Sequence, residues 1–266
     1  MKFIRKIFFI MLFVPISIFA YIDSDFDGVE DIADKCPNSS IIDIVDKNGC
    51  VVEKLESLYH FDVILGAKSI KIKDKKNQKK IYLTIQTAQI DYFYKNFSVS
   101  LSTSKNNSNF EDTYTSIKYK YKYNDLLAFY TSLNVILPTY KNSLNNNRID
   151  YGISQSIYYK NNNISIFTSY RFTLINDKNI DSLRVYYQNT NSYMLGIGYN
   201  FLTNLYSSIS VSSVDSIYRN SCSSISTNIY LLYSLDKNWF INPSFTKTYN
   251  DKTISDTLSF KIGYYY

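Results

Sequence analysis

From about residue 58 to its end the chain alternates apolar and polar positions in segments of about ten residues, separated by Asn, Asp and Lys. A period of two marks strands with one face against an apolar medium and the other against a polar one. Between Thr115 and Tyr123, Ile117, Tyr119, Tyr121 and Tyr123 share one face, while Ser116, Lys118, Lys120 and Lys122 share the other. The phase returns in Leu127, Phe129, Leu133, Val135 and Leu137, and again in Ile149, Tyr151, Ile153, Ile157 and Tyr159. It recurs in Ile164, Ile166, Tyr170, Phe172 and Leu174, and in Tyr193, Leu195, Ile197, Tyr199 and Phe201. The last segment sets Leu258, Phe260, Ile262, Tyr264 and Tyr266 against Ser259, Lys261, Gly263 and Tyr265, and ends on an aromatic residue.

Two-residue turns at 95–96, 124–125, 161–162 and 236–237 alternate with longer polar links near 104–111, 139–147 and 249–255. Long alternating strands with short turns on one side and longer loops on the other describe an all-β fold, a transmembrane antiparallel β-barrel of the bacterial outer-membrane type. A soluble β-sandwich has shorter strands and turns richer in Gly and Pro, whereas this chain holds seven Gly and four Pro. Lipid cannot satisfy backbone amides, so such strands span a membrane only as a closed barrel. Segmentation yields twelve strands from about residue 80 and a thirteenth candidate from Tyr59 to Lys73. Bacterial barrels have even strand numbers, so one segment is in excess, and the links at 189–191 and 203–204 mark where. About twelve strands over 59–266 is the expectation. The final strand resembles the C-terminal strand by which such barrels are recognised for insertion, which implies the barrel-assembly machinery and outer-membrane lipid as partners.

The N-terminus has a basic start (Lys2, Arg5, Lys6), an apolar run over 7–19 and then Ala20. That is a secretory signal peptide at 1–20, and its run is too short for a typical spanning helix. Asp23, Asp25 and Asp27 alternate before Gly28, with Asp31 and Asp34 beyond. Calcium takes several oxygens from such a loop, and counting Asp23 as its first position makes Val29 a backbone-carbonyl ligand and Asp34 the closing carboxylate. Cys36-Pro37 follows at once, against the continuing helix of an EF-hand, and Cys50 ends a Val-Asp-Lys-Asn-Gly-Cys run.

Residues 23–50 resemble the thrombospondin type 3 repeat in the form found in OmpA-like outer-membrane proteins. The resemblance implies a module at 21–50 that binds Ca2+ through Asp23, Asp25, Asp27, Val29, Asp31 and Asp34, with Cys36 and Cys50 paired, followed by a linker at 51–58. Such repeats usually occur in tandem and share ions. A single unit therefore points to an extracellular-type affinity, on the order of 10⁻⁴ to 10⁻³ M. In a secreted chain the bridge would contribute about 3 kcal/mol in the chain-entropy model. Cys222, in a Ser-rich segment without a nearby His, is left over as an incidental thiol.

The formal charge of +6 includes three signal-peptide cations, so the mature chain is mildly basic and nucleic acid is not implied. With apolar residues facing lipid, Lys118, Lys120, Lys122, Arg171, Arg184 and Lys261 face the lumen, against few acids such as Asp150 and Asp181. Two readings stand: a lumen with weak preference for small anionic solutes, or charges at the rims where long side chains reach water. The resulting expectation is a porin-like outer-membrane channel with the N-terminal module on the periplasmic side. The alternative is a structural or adhesive barrel without a conducting pore. A hydrolase is the third reading, and His60 is the sole histidine available to it, placed ahead of the first strand with no partner assignable. No enzyme is expected.

Overall fold

A computed structural model of the chain describes residues 59–106, 109–140 and 147–266, together with residues 29, 31, 34–36, 44–45, 47–48 and 50–53. The chain divides into two units, Met1–Ser57 and Leu58–Tyr266. In the first, Ile44–Val45 pairs antiparallel with Val51–Glu53, and Cys36 is bonded to Cys50.

The second unit is one closed antiparallel barrel of twelve strands, with the two-residue strand Asn109–Phe110 added beside Lys105–Asn106. These are β1 (Tyr59–Asp74), β2 (Lys80–Tyr94), β3 (Phe97–Asn106), β4 (Thr113–Lys122), β5 (Leu127–Leu137) and β6 (Asp150–Asn161). There follow β7 (Ile164–Leu174), β8 (Thr190–Leu202), β9 (Leu205–Val214), β10 (Ser224–Ser234), β11 (Trp239–Tyr249) and β12 (Thr253–Tyr265). Each strand pairs with its sequence neighbours, and β12 pairs with β1 from Thr253↔Asp74 to Tyr265↔Asp62. No edge is left open, which is how a barrel satisfies its backbone in lipid.

Tyr59–Asp74 is thus a full strand, and eleven rather than twelve strands follow it. The excess segment is 175–189, a loop that holds a short 3-10 turn, Asp181–Leu183, and the isolated bridges Ile180↔Val185 and Tyr187↔Tyr218. Leu183, Val185 and Tyr187 imitate a strand in sequence, but they pair with loop residues instead of the wall. The anticipated link at 189–191 is therefore no tight turn, because β8 begins at Thr190. The link after β11 is also shorter than expected, leaving residues 250–252 between Tyr249 and Thr253.

The end that carries Tyr59 and Tyr266 has short turns at 95–96, 123–126, 162–163, 203–204 and 235–238. Two of them place Lys95 and Asn162 in the left-handed region, at φ 51° and 50°. The longer links, among them 138–149, 175–189 and 215–223, lie at the other end.

The outer face keeps the sequence phase. Leu65, Leu195, Leu258 and Phe260 are exposed at 56, 62, 60 and 52 %, as residues that meet lipid rather than a protein core. Aromatic pairs border this band. Phe97–Tyr119 and Trp239–Tyr264, both with centroids 4.9 Å apart, mark the short-turn end, and Tyr170–Tyr193 at 5.1 Å marks the long-loop end. The 11 residues from Trp239 to Tyr249 rise about 3.3 Å each and, tilted by about 40°, span the ~25 Å of an apolar membrane band.

Candidate functional site: the barrel lumen

Small polar residues dominate the inward face. Ser98, Ser132, Ser154, Ser165, Ser210, Asn242 and Ser259 are all buried, and alternation on every strand points them away from the lipid face. In the half nearer the long loops, Ser100, Ser102, Tyr114, Ser116, Asn134, Gly152, Arg171 and Thr173 line a cavity of about 270 Å³. Asn134 donates to Ser154 Oγ at 3.3 Å. Arg171 forms no ion pair among the described residues. A guanidinium set among hydroxyls and amides offers charge and hydrogen bonds to a polar solute.

The sequence-predicted cations separate into groups. Lys118 faces inward between Ser98 and Ser132, its neighbours in register. Lys122 pairs with Asp125 at 2.7 Å in the exposed 123–126 turn, so this residue belongs to the rim. Lys120 lies two positions further in, opposite Tyr130, and is exposed. Asp125, hydrogen-bonded by Lys122, has its carboxyl held below the usual range. Lys261 faces inward and donates to Gln89 Oε1 at 3.4 Å. Arg184 corrects the expectation, since it caps the 3-10 turn in the 175–189 loop with φ 54° and contributes nothing to the wall. Asp181 belongs to the same turn, while Asp150 is buried at the start of β6 and accepts from Asn176 N at 2.7 Å.

Two acids were missed. Asp62 and Asp91 face each other across β1 and β2, are 6 and 7 % exposed, and each has an Oδ1 without a hydrogen bond among the described residues. Gln89 Nε2 donates to Asp91 Oδ2 at 2.8 Å, which joins Asp91 to Lys261 through one amide. The signal in the sequence is the inward parity that both residues share on their strands. His60 lies inside β1, with its ring stacked on Phe93 at 4.3 Å, and does not precede the first strand.

Nearer the short turns the lumen of β7–β12 fills with rings. Phe240 packs against Gly263 and Tyr206 against Gly198 so closely that a Cβ at either glycine would collide with the ring. Phe240 and Tyr265 lie 4.7 Å apart, and Tyr206 and Tyr230 6.3 Å apart. Ser165 Oγ and Tyr206 Oη share a hydrogen bond of 3.1 Å.

Of the predicted calcium ligands, Asp23, Asp25 and Asp27 lie outside the described residues. Asp34 Oδ1 accepts from Cys36 N at 2.7 Å, and among the described residues no group of three metal-binding side chains is assembled. The all-oxygen donor set of 23–34 fits a hard cation by its chemistry. Cys222 is exposed and unpaired in the 215–223 loop, and the neighbouring Asp251 holds its thiol above the usual value.

No family model matches the chain, and no curated protein matches it in sequence. Among solved structures it resembles an outer membrane channel of Pseudomonas putida F1, designated COG4313, with TM-score 0.66 and 8 % identity over 80 % of this chain and 97 % of that one. It resembles the NanC porin with TM-score 0.59 and 10 % identity, over 75 % of this chain and 98 % of the porin. The KdgM porin in complex with disordered oligogalacturonate gives TM-score 0.52 and 15 % identity, over 76 and 98 %. At these identities the likeness establishes a shared fold, the twelve-stranded barrel of outer-membrane channels.

Proposed function

We propose that the protein is a porin-like channel of the bacterial outer membrane that passes small polar solutes with a weak preference for anions. The observation that carries this reading is the hydroxyl- and amide-bearing lumenal cavity lined by Arg171, which has no ion-pair partner among the described residues. Lys118 and Lys261 add positive charge to the wall, while Asp62 and Asp91 oppose it, so the preference is modest. The KdgM porin, solved in complex with disordered oligogalacturonate, supports an acidic or hydroxyl-rich solute as the first class to test. In planar bilayers the full chain is expected to conduct, and Arg171→Gln should move the reversal potential in a KCl gradient towards cation preference. Cation preference already present in the unaltered protein overturns the anion reading.

A second reading has its own observation. The rings of Phe240, Tyr265, Tyr206 and Tyr230 crowd the lumen near the short turns, as in a barrel filled by its own side chains. A structural or adhesive barrel would show no conductance at all.

In the channel reading the termini and short turns are periplasmic and the long loops face the outside. Cys222 tests this directly, since a membrane-impermeant maleimide should label it on intact cells. The N-terminal repeat is proposed to bind Ca2+ and to act as a periplasmic accessory of the channel. Deleting residues 21–50 should then alter conductance or its response to calcium, and an unchanged trace in both respects removes that role.

A further inference from the structure

The outer face of the barrel is charged in one sector only. Among the described residues, β4 to β10 carry no Lys, Arg, Asp or Glu at outward positions: β8, for example, presents Tyr193, Leu195, Ile197, Tyr199 and Phe201. From β11 round to β3 the same face carries Lys247, Asp256, Lys71, Lys73, Lys80 and Lys105. Register sets five of them side by side: Lys247 is opposite Asp256, Asp256 is opposite Lys71, and Lys73 is opposite Lys80.

Their height on the wall is equally specific. On β1 the outward residues read Val63, Leu65, Ala67 and Ser69 before Lys71 and Lys73, so the cations begin where the apolar band ends on the long-loop side. On β12 the order from that side is Asp256, Leu258, Phe260, Ile262. Lys247 Nζ lies 5.8 Å from the centroid of the Tyr249 ring and 3.9 Å from Asp256 Oδ1. The ammonium thus stands at the border aromatic, a geometry in which a long side chain reaches the headgroup layer. Within this patch Asp256 is one acid among five lysines, and it holds Lys247 beside Lys71 without neutralising the cluster. A clamp of ammonium groups at this level matches phosphate on a lipid headgroup, because basic clusters at a membrane surface are attracted to anionic headgroups.

We propose that the β11–β12–β1–β2 face binds the phosphorylated headgroup of an outer-leaflet glycolipid of the lipid A class, with Lys71, Lys73 and Lys247 as its phosphate contacts. The inference rests on the outer-membrane orientation given above, which the labelling of Cys222 tests separately. It does not require that the lumen conduct.

The test reconstitutes the full chain in phosphatidylcholine vesicles containing either bisphosphorylated lipid A or the same lipid with its phosphates removed. Detergent extraction and native mass spectrometry then count the lipid retained. The unaltered protein should retain the bisphosphorylated form and lose the dephosphorylated one. The variant Lys71→Gln/Lys73→Gln/Lys247→Gln, shown to be folded by heat-modifiable gel migration, should retain less by on the order of tenfold or more. The control Lys95→Gln/Lys237→Gln, in the short turns, should retain as much as the unaltered protein. Equal retention of the two lipids by the unaltered protein overturns the proposal without any variant, as does undiminished retention by the folded triple variant. Displacement of lipid A by millimolar inorganic phosphate would show a site for the free anion instead, and would likewise overturn it.

Discussion

The amide of Phe61 donates to the carbonyl of Tyr266 at 3.1 Å, and the amide of Tyr266 donates back to Phe61 at 2.9 Å. Their rings stack with centroids 4.7 Å apart. Tyr266 is thereby joined to the first strand by two hydrogen bonds and a ring contact, which makes it part of the seam that closes the barrel. Each such backbone bond contributes on the order of 1 kcal/mol, and the stacked pair about as much again. Deleting Tyr266 should therefore lower the urea midpoint of the refolded barrel and reduce the assembled fraction in cells. Tyr266→Phe, which keeps the ring and the backbone pair, should behave like the unaltered protein. Equal assembly of the deletion and the unaltered chain would refute a role for this seam.

Asp62 and Asp91 predict a different response. Like charges directly opposite on adjacent strands destabilise a sheet, and each of these buried carboxylates has an unsatisfied oxygen. Replacing either with Asn removes one charge while keeping the shape. Both single variants are expected to be at least as resistant to unfolding as the unaltered protein, with a gain on the order of 0.2–1 kcal/mol. If the lumen conducts, both should also move selectivity towards anions. A marked loss of stability would mean that the pair is held by a partner that needs both charges.

Gly263 is occupied by the Phe240 ring. Gly263→Ala forces the ring out of that niche, and overpacking of this kind typically destabilises by about 1–3 kcal/mol. A fall in the unfolding midpoint of the single variant, largely restored in Gly263→Ala/Phe240→Leu, is the expected pattern. Identical midpoints for all three proteins would show that the ring is not seated there.

The 215–223 loop has a pH dependence of known sign. Asp215 accepts from the Asn191 side chain and backbone amide, both at 2.9 Å, and from Ser223 Oγ at 3.0 Å. These bonds favour the ionised form and hold the carboxyl below its usual value of 3.8. A depressed pKa gives a stabilising contribution that is full above the unfolded value and is lost as pH falls through the folded one. Asp177 runs the other way: burial raises its carboxyl, partly offset by a bond from Arg148 N. Hydrogen exchange at Asn191 N should be protected at pH 6 and accelerate below about pH 4, and Asp215→Asn should abolish most of that acid step. Loss of protection at higher pH would assign the loop's hold to another group.

The bonded pair Cys36–Cys50 belongs to a unit separate from the barrel. Reduction should change the non-reducing mobility of the chain and leave barrel unfolding where it was. Calcium titration of the oxidised full chain is expected to give a dissociation constant on the order of 10⁻⁴ to 10⁻³ M, weakened by Asp25→Asn. No heat or shift of calcium binding at ten millimolar would remove the ion from the account.

Much of the wall could be read directly. Ile117, Tyr119, Tyr193, Leu195, Leu258 and Phe260 face outward as their alternation requires, because a strand's side-chain period of two is a local property that neighbours cannot alter. The same parity sets Lys118, Arg171 and Lys261 on the face opposite the lipid-facing residues. Arg184 failed because its segment holds a 3-10 turn, and a short apolar run looks alike in a strand and in a packed loop.

Alternation along the chain already makes this a wall of long two-faced strands and says which residues face lipid, and an Asp-rich loop precedes that wall. Only the folded barrel settles which twelve segments form the wall, that Asp62 meets Asp91, and that the outer lysines gather in one sector. It also decided that Tyr266 closes the seam on Phe61. The physical reason is that parity is fixed within a strand, whereas proximity is fixed by the register between strands. Asp62 and Asp91, or Lys247 and Lys71, become neighbours only when hydrogen-bond ladders align segments distant in the chain.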